Sequence, residues 1–111
     1  MKQYLIVLIT SLFLSGSLNA ESVWFAGEVK MVYPLANGLI IVGFKEDSPS
    51  CSNGSNPKYH HIAVGENGVS QEGLKHMYSL ILSASAQGKK VSINFDDSNK
   101  SCFINRVFVT Y

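Results

Sequence analysis

The chain has 111 residues with nine basic and eight acidic side chains. So even a charge balance excludes a basic nucleic-acid binder, which carries a Lys/Arg excess, and an acidic solvating tail. A chain this short buries one small core, which excludes a multidomain enzyme with an internal cleft.

Residues 1–20 have the layout of a secretory signal peptide. Lys2 supplies the positive start, Leu5 to Leu14 (LIVLITSLFL) is apolar, and Leu18-Asn19-Ala20 ends in a small residue suited to cleavage before Glu21. A membrane span needs roughly 20 apolar residues, and no stretch reaches that, so no span is expected. No Cys follows the cleavage point, so a lipid anchor is not expected either. The binding domain is then 21–111. Its two cysteines, Cys51 and Cys102, enter an oxidising compartment and are expected to form one disulfide. It would enclose about 50 residues, for which chain entropy gives about 4 kcal/mol. A free reactive pair would want a CxxC spacing or basic neighbours, and neither is present.

Val23 to Tyr33 alternates, with Val23, Phe25, Gly27, Val29, Met31 and Tyr33 on one face, and reads as a strand. Gly27 marks a bulge or bend within it. Pro34 closes the strand and Asn37-Gly38 turns the chain. Leu39 to Phe44 is apolar on both faces, hence a buried central strand. Lys45 to Pro57 is a polar surface loop held by Cys51. Lys58 to Val64 is a third strand and Gly65 to Gly68 a turn. Ser70 caps a helix over Gln71–Gln87, whose apolar stripe is Leu74, Met77, Tyr78, Ile81 and Leu82, continued by Ser85. Gly88 ends it. Val91 to Phe95 is a strand with Val91, Ile93 and Phe95 inward, Asp96 to Lys100 a hairpin turn, and Ser101 to Tyr111 the last strand, with Phe103, Val107, Val109 and Tyr111 on one face.

The order β-β-β-α-β-β predicts a mainly β protein, a five-stranded OB-fold-like barrel plugged by its helix. An open α+β sheet with the helix on one face is the alternative that pattern alone leaves open.

Little points to catalysis. His60 and His61 are adjacent on a strand and face opposite ways, so they cannot readily share a metal; one is expected half-buried and one exposed. Asp96-Asp97 and Glu46-Asp47 sit in polar turns and serve the turns. No GxSxG and no glycine-rich phosphate loop occurs. No metal, cofactor or catalytic residue is expected. Trp24, Phe25, Tyr33, Tyr59 and Phe103 are candidates for a stacking surface, of the kind such barrels offer to oligosaccharides, or else for the core.

Two stretches resemble the binding (B) subunits of subtilase cytotoxin and of typhoid-toxin-type toxins. Met77-Tyr78, Gly88, Val91 and Ile93 match that family's helix and following strand. Trp24 followed by Phe25-Ala26-Gly27-Glu28-Val29 matches its first strand, where the family carries Phe-Ser-Gly-x-Val. The resemblance implies an OB-fold, a ring of five subunits with helices lining a pore, an enzymatic toxin subunit as partner, and recognition of a sialylated cell-surface glycan. It places the glycan contacts at Trp24, Phe25, Ala26, Asn94 and Phe95. Ala26 stands where the family's Ser meets the sugar carboxylate, so it offers only its backbone.

The expected function is therefore a secreted or periplasmic non-catalytic subunit that binds a glycan as a homo-oligomer. The alternative, equally suited to a small exported disulfide-linked domain, is an inhibitor or immunity protein that blocks a partner enzyme with the loop Ser48 to Lys58.

Overall fold

The computed structural model describes residues 22–111; the expected leader at 1–20 lies outside the described residues. Five strands and one helix follow in chain order: β1 (Ser22–Pro34), β2 (Ile40–Phe44), β3 (His60–Ile62), α1 (Gln71–Ala86), β4 (Lys90–Asp96) and β5 (Ile104–Phe108). The strands lie in the order β3-β2-β1-β4-β5, all antiparallel. β1 serves both halves. Its first part, Ser22 to Glu28, pairs with β4, and its second, Val29 to Pro34, pairs with β2. The outer strands then meet: the backbone N–H of His61 on β3 donates to the Ser101 carbonyl, just before β5, at 3.2 Å. That contact curls the sheet into a barrel and decides against the open sheet. The fold is mainly β with one helix, OB-fold-like, as expected.

The helix closes the barrel through Met77, Ile81 and Ala84, which join Val42, Phe44, Ile62, Val91, Ile93, Phe95 and Ile104 in one core. Ser70 caps it, its Oγ accepting from the Gly73 N–H at 3.0 Å, and Gly88 follows it at φ +69°, where a side chain would be strained. The stripe differs from expectation at one place. Leu74 and Tyr78 pack on the core, but Leu82 is 42 % exposed and Ala84 takes the inner position. The buried centre runs along 77, 81 and 84, and position 82 lies a further 100° around the helix.

Two bulges shift faces that simple alternation places elsewhere. In β1 the irregularity is between Val29 and Met31, not at Gly27. Beyond it Val32 packs inward, while Tyr33 is half-exposed. Gly27 has another reason to be glycine: a Cβ there would lie 3.0 Å from the Phe25 ring and 3.3 Å from the Phe44 ring. In β5 the register slips opposite Asn94/Phe95. Ile104 is buried in place of Phe103, and Asn105 is the extra residue. Val107 and Val109 then pack inward as expected, while Tyr111 is 69 % exposed.

β3 has three residues rather than seven, and His60 on it is fully buried rather than half-buried. The loop before it is well anchored. Cys51 and Cys102 form the expected disulfide, both sulfurs buried and the Cα atoms 5.9 Å apart. The Asn53 amide donates to the carbonyls of Tyr59 (2.6 Å) and Lys100 (3.0 Å), and Lys58 Nζ donates to the Cys51 carbonyl at 2.6 Å. In the β4–β5 turn, Asp96 Oδ1 accepts from the Ser98 N–H and Asn99 Oδ1 from the Ser101 N–H.

Replacing both cysteines with Ala should cost about 4 kcal/mol, the cost of freeing a loop this long in the unfolded chain. Ser70→Ala should cost about 1 kcal/mol, the worth of one N-cap. Urea unfolding of the two variants checks both size and ranking; equal midpoints would contradict this account.

Candidate functional site

The outer face of β1, β4 and β5 is set by register. Trp24 pairs with Asn94, and Asn94 with Arg106, in one row across the three strands. Ala26 pairs with Ser92, and Ser92 with Phe108, in the next. Side chains alternate along a strand, so these six share one surface.

Two depressions adjoin there. The first is a shallow, mostly apolar groove of about 430 Å3 lined by Trp24, Phe25, Ala26, Ser92 and Phe108. Trp24 is 50 % and Phe108 47 % exposed, with ring centroids 5.5 Å apart, edge to face. The Arg106 guanidinium lies 5.3 Å over the indole. It holds the ring in place by cation–π attraction and separates the groove from its neighbour.

The second is a polar cleft of about 150 Å3 at the end of β4, lined by Ser22, Asn67, Asn94, Asp96, Asn105 and Arg106 among others. A chain of amides stiffens it. Arg106 donates to Asn105 Oδ1 at 3.3 Å, Asn105 Nδ2 to the Asn67 carbonyl at 2.6 Å, and Asn67 Nδ2 to the Phe103 carbonyl at 2.9 Å. Asn94 is 3 % exposed. Its Oδ1 accepts from Ser22 Oγ at 2.6 Å, while its Nδ2 has no partner among the described residues. A buried donor left unpaired costs about 1–3 kcal/mol.

The residues expected at the site divide accordingly. Trp24, Ala26 and Asn94 lie on the outer face. Phe95 points inward, with no exposure, and packs on His60 at 4.9 Å. Phe25 borders the groove but turns its ring onto Phe44 at 5.2 Å. The wider stacking surface is not assembled. Tyr33 stands on the other half of β1, and Tyr59 and Phe103 gather on His61. Arg106 and Phe108 fall outside the two motif matches, although alternation from the inward Val107 and Val109 already puts both on the outer face.

No protein-family model matches this chain, and no curated protein sequence matches it. Solved structures do. A cholera toxin-like B subunit from Citrobacter freundii aligns with a TM-score of 0.61 at 15 % identity, covering 90 % of this chain and 95 % of that one. The B subunit of human heat-labile enterotoxin from E. coli aligns at 0.60 and 9 % identity, covering 92 % of each chain. A porcine heat-labile enterotoxin aligns at 0.59 and 12 % identity, covering 93 % of this chain and 96 % of that one. The fold is that of toxin B subunits. The likeness extends over almost the whole barrel, the helix included. It does not single out the subtilase type that the two motifs resemble.

Trp24 is the chain's one tryptophan, so its fluorescence reports this face directly. Arg106→Ala should raise the iodide quenching constant of that emission by uncovering the indole. An unchanged constant would show that the guanidinium does not cover the ring in solution.

Proposed function

We propose that this protein is an exported, non-catalytic binding subunit that recognises a glycan through the outer face of β1, β4 and β5. The observation that carries this reading is the buried Asn94 amide, unpaired at Nδ2, at the base of a polar cleft beside a half-exposed tryptophan. Sugars present both of the surfaces such a site requires. Their hydroxyls accept from amide and guanidinium donors, and their C–H faces lie against aromatic rings. Trp24, Phe108 and Ala26 form the apolar wall; Asn94 and Arg106 supply donors. Ala26 lacks a hydroxyl, so the polar recognition rests on the Asn94 cleft and not on the Ala26 position.

The toxin-B fold supports a ring assembly and an enzymatic partner subunit. A homo-oligomer of five is the form implied by the resemblance of the first strand and helix. The buried disulfide suits an oxidising, extracytoplasmic setting, and a signal peptide at 1–20 would deliver the chain there. Among the described residues no helix is long and apolar enough to cross a membrane.

The second reading, an inhibitor of a partner enzyme, draws support from the loop Ser48 to Lys58. The disulfide, Asn53 and Lys58 hold it in one conformation, and a preorganised loop binds with less loss of entropy. Co-purification of an enzyme, lost on substitutions in 52–56, would favour it.

Glycan-array screening followed by calorimetry tests the first reading. Trp24→Ala and Asn94→Ala should each weaken binding at least tenfold, about 1.4 kcal/mol, with folding retained. Light scattering should give a multiple of the protomer mass. A monomer that binds no glycan would sink the proposal.

A further inference from the structure

His60 is a titratable group that the binding face does not use. It is 1 % exposed, and three aromatic rings surround it: Phe95 at 4.9 Å, Phe44 at 5.4 Å and Phe25, stacked, at 6.4 Å. Neither ring nitrogen has a hydrogen-bond partner among the described residues. It stands on the shortest strand, three residues long, at the place where the barrel closes. Its neighbour His61 makes that closure with the Ser101 carbonyl, through its backbone N–H and through Nδ1. A carbonyl only accepts, so Nδ1 carries the proton there. The disulfide brackets the same seam, with Cys51 in the loop before β3 and Cys102 directly after Ser101.

We infer that the β3–β5 seam is an acid-operated latch: protonation of His60 drives β3 out of the barrel, while the disulfide keeps the displaced segment tethered and the opening reversible. Burying an imidazolium among Phe25, Phe44 and Phe95 costs more in lost hydration than their ring faces and the Val42 backbone return. The strands that carry those rings bring no carboxylate to it. Burial is the main force and holds His60 down to about 4; the Val42 backbone and Asp47 favour the charged form, and His61 and Lys58 oppose it.

The direction follows from linkage. The closed form has the lower pKa, so closure is strongest above the free value of 6.5 and weakens as pH falls from there towards about 4. Between neutral pH and pH 5 opening is favoured by roughly 30-fold.

Hydrogen exchange on the purified protein, set against His60→Leu at the same pH, tests this. After correction for intrinsic rates, amides in 60–62 and 101–104 of the wild type should lose roughly 30-fold protection at pH 5 relative to pH 7.5. Those in 77–84 should not, and His60→Leu should show no such loss. An equal pH response in the variant, or a uniform loss across the barrel, would overturn the latch. If the variant does not fold, the wild-type His60 ring is followed by NMR. Titration below pH 5, together with shifts at the Ser101 and Cys102 amides, supports the latch; titration near 6.5 overturns it.

Discussion

The structure depends on the length of one strand. β1 runs for 13 residues and is long enough to pair with β4 along its first half and with β2 along its second. A strand that changes partner midway must bend, and the bulge between Val29 and Met31 with the bare Cα of Gly27 gives it room to do so. Everything else follows from that bend. It brings β3 round to Ser101, creates the end that α1 fills, and leaves the β1–β4–β5 face outermost with its aromatic and amide residues in register.

The two sides of that three-stranded half are put to different uses. Inward, Phe25, Ile93 and Phe95 build the core. Outward, Trp24, Asn94 and Arg106 form a row whose middle member is buried by its neighbours. Asn94 thus has the burial of a core residue while lining a surface cleft. A polar side chain in such a place is held against desolvation by one bond to Ser22 and retains one unmet donor.

Much of this was legible in the chain. The order of elements, the disulfide, and the helix with Ser70 and Gly88 at its ends follow from period-2 and period-3.6 patterning and from two cysteines, while the likeness to toxin B subunits rests on the two motif matches. Of the residues the two motif matches single out, Trp24, Ala26 and Asn94 share the outer face. The departures have separate physical causes. A bulge adds one residue and reverses every face beyond it, and nothing in the residues of β5 betrays that Asn105 is the extra one. Hence Ile104 lies inside where Phe103 was expected. Phe95 was read from its approximate match, whereas the pleat turns it to the core. His60 was misjudged because its burial depends on three rings that are distant in sequence.

The Cys51–Cys102 link also sets how the molecule can be broken. It joins the surface loop before β3 to the β4–β5 turn, so a single backbone cut anywhere between residues 51 and 102 leaves the two fragments covalently attached. A molecule nicked within that span therefore migrates as an intact one until a reductant is added, and a protease that cuts a loop there does not by itself release a piece of the barrel.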